Sequence, residues 1–243
     1  MRRRFAALLR KEMKQLLRSR KTVIAAAMVP ALMLLFVAFG NILTLKVGFA
    51  SKEIYLLSST RRVSGAFLLQ HYTLPVLVTI SALVVPSIVM GDLLFGERER
   101  RTLDLLVALP VSVYDVVLAK LTAVLGFAIC VIGPLFVLNT LMVSAAGYGA
   151  VPQTAALAGL LVASVCYSTS SALLVAVVAG EARAANIVSG LVLGPVVPVE
   201  GLVLAAVKSY AAIVASASVL LAVACVLLIW SLRLLSFERL AGG

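Results

Sequence analysis

The densest chemistry in this 243-residue sequence is a run of ionised side chains, Glu97, Arg98, Glu99, Arg100, Arg101 and Asp104. Acids and bases interleaved in this way do not form an active site; they form a surface able to exchange ion pairs with another polar surface. At about 2.5 kcal/mol or more per charge, the run would cost on the order of 15 kcal/mol inside hydrocarbon, so it must lie in water. Sets of residues that could do catalysis are missing. There is no Gly-x-x-x-x-Gly-Lys-Ser/Thr phosphate loop, and no glycine is followed by lysine. His71 is the single histidine, which leaves no histidine-based metal set and no histidine after Ser189-Gly190 to activate an intramembrane serine. Cys130, Cys166 and Cys225 each stand in an apolar stretch without Cys-x-x-Cys spacing, and read as small buried hydrophobes rather than a disulfide or metal framework. The chain is therefore expected to be no enzyme, with no catalytic residue, cofactor or metal ligand of its own.

The elements that must position the charged run are apolar. Hydrophobic residues make up 63% of the chain and charged residues 13%, far more apolar surface than one soluble core of this length could hide. A spanning helix needs about 20 mostly apolar residues, and stretches of that kind are predicted at 22–45, 72–95, 116–147, 152–179, 186–207 and 211–232. The expected fold is thus an all-α membrane protein, a six-span bundle forming one domain over residues 1–243. Pro75 and Pro86 are expected kink sites in the second span. The segment from Lys46 to His71 reads as a loop with a short surface helix. Gly194, Pro195, Pro198, Glu200 and Gly201 interrupt the fifth span, and Lys208-Ser209-Tyr210 supplies a second break, which predicts a broken span with a short re-entrant piece.

Ahead of the first span, Phe5, Leu8, Leu9, Met13, Leu16 and Leu17 recur at three- and four-residue steps, while Arg10, Lys11, Lys14 and Arg18 take the other side. Residues 1–21 are accordingly expected to form an amphipathic interfacial helix, its basic face on anionic lipid headgroups and its apolar face at the acyl boundary. The apolar run from Val23 to Leu45 is too long for a signal-peptide core and is expected to remain as the first span.

The net charge of +11 is topology information rather than a nucleic-acid footprint, because the basic excess lies beside apolar spans. With the N-terminus inside, only Lys46, Lys52, Arg61, Arg62 and Lys208 of the 21 basic residues fall outside. That asymmetry predicts a multi-pass protein of the cell membrane with both termini cytoplasmic. It also puts the charged run in the cytosol, where Leu103, Leu105, Leu106 and Leu109 give an apolar side to a short helix that Pro110 ends. Ser112 caps the next helix.

Here the sequence resembles a known family. Glu97-Arg98-Glu99, Thr102-Leu103, Leu105-Leu106, Pro110-Val111-Ser112 and the downstream Lys120 look like the ABC-2 permease pattern of Glu-x-Glu, Gly-Thr-Leu, two leucines, Pro-x-Ser and Lys. Arg101 departs from it, standing where the family commonly has the glycine. The resemblance implies a coupling helix between spans two and three that docks into a separate ABC ATPase. On that basis Glu97, Glu99, Arg100, Arg101 and Thr102 would form the docking surface, with Leu103, Leu105, Leu106, Leu109 and Pro110 anchoring it. It further implies a dimer of permease subunits, alike or unlike, ATP and Mg bound only on the partner ATPase, and export as the direction of transport. The basic N-terminal segment resembles the family's connecting helix. The alternative is a secondary transporter or channel not driven by ATP. Its ionisable candidates are few: Asp92 reads as a cap or ion-pair partner near the inner end of span two, and Glu200 as part of an outward turn.

Overall fold

A computed structural model describes residues 2–47, 53–55, 62–64, 74–99, 113–145, 151–179, 182–207 and 210–234. The chain begins with an amphipathic helix, α1 (Arg2–Arg18), joined through Ser19 to α2 (Arg20–Val47). The Ser19 amide closes α1 on the Gln15 and Leu16 carbonyls, and its own carbonyl accepts the first bond of α2 from the Val23 amide at 3.0 Å. Its hydroxyl meets that of Thr22, a side-chain contact across the first turn of α2.

Between the first two long helices lies a small antiparallel hairpin, β1 (Glu53–Tyr55) and β2 (Arg62–Ser64), in which Glu53 pairs with Ser64, Ile54 with Val63 and Tyr55 with Arg62. At 53–55 and 62–64 the chain is thus strand rather than surface helix, and the remainder of the expected loop between residues 48 and 73 lies outside the described residues. Ile54, Tyr55 and Val63 are residue types that favour a pleated strand over a helix.

The remaining helices are α3 (Leu74–Glu99), α4 (Val113–Ala145), α5 (Val151–Val178), α6 (Ala182–Leu193), α7 (Val196–Val207) and α8 (Tyr210–Leu234). Among the described residues four helices are long and apolar enough to cross a membrane, at Leu74–Gly91, Tyr114–Leu141, Val151–Val178 and Tyr210–Leu234. They are apolar on every side, as helices must be when lipid replaces water as solvent. Pro75 sits in the first turn of α3, where its missing amide is not needed, so only Pro86 interrupts that helix internally.

The core is built around α5. Of its apolar length 72% is buried, against 22% for α8, and it packs mainly on α8 and α3. Where α5 meets α3 the contact is polar as well as close: the hydroxyls of Ser87 and Ser168, 3.0 Å apart, both donate to the Leu83 carbonyl. Small hydroxyl residues let helix backbones approach and then bond across the gap, the usual glue between helices that gain nothing from hydrophobicity in lipid. Exposed apolar side chains instead line the outer faces, with Ile24, Met28, Leu32 and Leu35 down α2, and Val219, Val226 and Ile229 on α8. Cys130 and Cys225 also lie on the outside of the bundle, and Cys166 is half-buried, so the expectation of three buried cysteines is corrected. A thiol on a lipid-facing surface is as well solvated as a methyl group, which is why composition could not tell the two sites apart.

Candidate functional site

α3 and α4 run in opposite directions. Leu77, Val78 and Ser81, early in α3, share a small cavity with Ile132, Leu135, Phe136 and Asn139, late in α4. The C-terminal end of α3 and the start of α4 therefore lie at one end of the bundle.

The structure places α1 at that same end. Leu9, Met13 and Leu16 pack into the main core cluster with Val117, Leu121 and Val124 of α4, and Leu16 is fully buried. Within this apolar contact Lys120 Nζ donates to Glu12 Oε2 at 3.0 Å, with both side chains almost completely buried. Lys11 lies 3.5 Å from the other Glu12 oxygen, but its side chain is half exposed and the contact is correspondingly weak. A buried ion pair is worth little against an apolar pair of the same shape, yet it cannot lose one member cheaply. Its effect is to fix the register of α1 on the first turns of α4.

Arg10, Lys11, Lys14 and Arg18 are exposed, Phe5, Leu8, Leu9 and Met13 are half-buried, Leu16 is buried and Leu17 is exposed. The apolar face of α1 is thus shared: its centre faces α4, while Leu17, at 62% exposure, points away from the bundle.

Of the proposed docking residues, Glu97 and Glu99 fall on the last turns of α3. Arg100, Arg101, Thr102, Leu103, Leu105, Leu106, Leu109 and Pro110 lie outside the described residues. The residue that sequence reasoning missed is Glu12. It is the only acid in the first 52 positions and stands four residues from both Leu8 and Leu16. A lone carboxylate on the apolar stripe of a basic helix is the pattern that should have called for a buried cation.

Part-way along the bundle, level with the middle of α5, α6 and α7 meet at a break. The hydroxyl of Tyr167, midway along α5, donates to the Val192 carbonyl at 2.9 Å, satisfying one of the orphan carbonyls at the end of α6. Gly194 and Pro195 make the turn, and the Pro195 carbonyl accepts the Val199 amide to open α7. Pro198, Glu200 and Gly201 lie within α7. Pro198 is tolerated because amides in the first helical turn have no internal acceptor.

Apolar helices of spanning length with an amphipathic helix pinned across one end are the build of a multi-pass membrane protein. A family model described as ABC-2 type transporter matches residues 3–206, so the chain belongs to the ABC-2 type transporter family and is a membrane-embedded transport component rather than a catalyst. A comparison with curated proteins finds no match.

Proposed function

We propose that the chain is the permease subunit of an ATP-driven exporter, moved by a separate ABC ATPase that docks on residues 97–110. ABC-2 permeases normally work with such a partner. The observation that carries the reading is the Glu12–Lys120 pair. It locks the basic N-terminal helix to the helix that leaves the charged segment, so a push on residues 100–112 reaches α1 and α4 as one body. Rigid helices then carry the displacement toward the far end, in the manner of a packed interface with two discrete arrangements.

In this reading six spans cross the bilayer. α2 supplies the first, α3, α4 and α5 the next three, α6 and α7 together the fifth, and α8 the last. At 12 residues each, α6 and α7 are about 18 Å long, so neither alone crosses a core of about 30 Å. Joined at Gly194-Pro195 they are long enough to do so. Both termini are then cytosolic, ATP and Mg stay on the ATPase, and two permease subunits, identical or different, flank the pathway.

The test is to replace Glu97, Glu99, Arg100 and Arg101 together with alanine and co-purify the cognate ATPase. Retention should fall about tenfold or more, with ATP-dependent transport falling alongside, as charged docking surfaces do when several pairs are removed at once. Undiminished binding and transport would overturn the docking site.

A further inference from the structure

The cavity beside the α6–α7 break has a volume of about 320 Å³ and is lined by Tyr167, Val192, Val199, Glu200, Ser216 and Val219, among others. That volume is at the lower end of the range for small-molecule sites, about 300–1,000 Å³. Its lining is apolar except at a few points. Glu200 is 4% exposed, and neither of its carboxylate oxygens has a hydrogen-bond partner among the described residues. Thr79 of α3 is set beside it, but its hydroxyl is likewise buried and out of hydrogen-bonding geometry.

An unpaired carboxylate in this position is expensive to keep, since ionisable groups within a membrane bundle need a partner. Alanine or leucine would serve α7 better if packing were the whole requirement. Tyr167, on the same wall, has its hydroxyl hydrogen committed to Val192, which leaves its oxygen as an acceptor only. With the Ser216 hydroxyl able to accept as well as donate, the cavity presents acceptors and apolar walls, a combination that suits a body of hydrocarbon carrying N–H donors and a positive charge.

We propose that this cavity binds the ammonium end of a small amphipathic amine, with Glu200 as its counter-charge. The proposal names a substrate class for the exporter described above and rests on that reading. The ammonium donates to the Glu200 carboxylate and to the Tyr167 oxygen, a charge-assisted arrangement that is stronger than its neutral counterpart. The apolar portion lies along Val192, Val199 and Val219. The site is near Thr79, early in α3, and Tyr167, midway along α5, and so lies in the half of the bundle away from Glu12 and Lys120.

The test uses a matched pair of fluorescent probes, 1-pyrenemethylamine, which is protonated at neutral pH, and 1-pyrenemethanol, which is not. Binding is titrated to the full chain in nanodiscs of phosphatidylcholine, whose trimethylated ammonium has no N–H to offer. The amine should bind saturably, and Glu200→Gln should weaken it about tenfold or more while changing the alcohol by less than about threefold. Ser216→Phe, which fills the cavity from α8, should abolish saturable binding of both and covers the case in which Glu200→Gln does not fold. Adding phosphatidylethanolamine distinguishes two sources of the same chemistry: competition with the probe identifies a lipid headgroup as an occupant, and no competition identifies free cargo. Absence of saturable amine binding, or equal effects of Glu200→Gln on both probes, overturns the site. The measurement omits the ATPase, so a permease that binds amine but no ATPase refutes the export reading alone. One that couples to ATPase but ignores the amine refutes this site alone.

Discussion

The Glu12–Lys120 pair makes a quantitative demand on stability. Removing one member leaves a charge buried among Leu16, Val117 and Leu121, and the loss expected for breaking a buried pair is about 3–5 kcal/mol. Lys120→Ala should therefore lower the unfolding free energy of the purified chain in mixed micelles by that amount, read as a lower denaturant midpoint at an unchanged slope. The double variant Glu12→Leu with Lys120→Met should regain most of it, because an apolar pair of similar volume carries no desolvation cost. If Lys120→Ala were silent, the contact would not be holding α1. The same double variant separates stability from function: it keeps α1 packed but replaces a directional bond with a slippery contact, so transport should suffer more than folding. Tyr167→Phe is a gentler case. Polar contacts between membrane helices average about 0.6 kcal/mol and reach about 1.7, so its effect belongs in that range, read as faster hydrogen exchange at the C-terminal turn of α6.

Among the elements, the α6–α7 break is the one most sensitive to a single atom. A Cβ built at Gly194 would stand 2.6 Å from the Gly190 carbonyl oxygen, a contact with backbone that no rotamer can relieve. Gly194→Ala must therefore move the end of α6 away from Tyr167 or shift the start of α7, and Glu200 lies less than two turns downstream. The expected result is weakened binding of the pyrenemethylamine probe together with loss of protection at Val192, although residue 194 lines neither the salt bridge nor the core. How much of this was legible in advance follows from the physics of each element. Long apolar helices were readable because lipid forces every side of a helix to be apolar, and Val151–Val178 and Tyr210–Leu234 are of that kind. Glu200 was misplaced into a turn because prolines at 195 and 198 suggest continuous disruption, whereas Pro198 falls in the one helical turn that tolerates it. The packing of α1 on α4 was hidden for another reason: Glu12 and Lys120 are 108 positions apart, and no local periodicity reports a contact at that range.

At the scale of the whole molecule, the sidedness of the bundle joins these parts. The antiparallel arrangement of α3 and α4 puts α1, the end of α3 and the start of α4 at one end and the carboxylate cavity toward the other, an arrangement that suits the proposed ATPase only if the first end faces the ATP-containing compartment. The basic residues before Thr22 and around Arg98 to Arg101 argue for that orientation, because positive side chains are retained on the cytosolic side. In a background with Cys130, Cys166 and Cys225 replaced by alanine, Glu53→Cys on the β1–β2 hairpin should react with a membrane-impermeant maleimide in intact cells. Arg20→Cys, on an exposed position at the start of α2, should react only after the membrane is opened. Because α2 separates the two positions and its 28 residues extend about 42 Å, more than the hydrocarbon thickness of about 30 Å, one labelled and one protected site is the pattern a crossing requires. Labelling of both in intact cells would mean that α2 lies along the surface and the bundle has lost a span. The reverse pattern would point the charged segment away from any cytosolic ATPase, and no rearrangement of the helices within the bundle could then rescue the coupling.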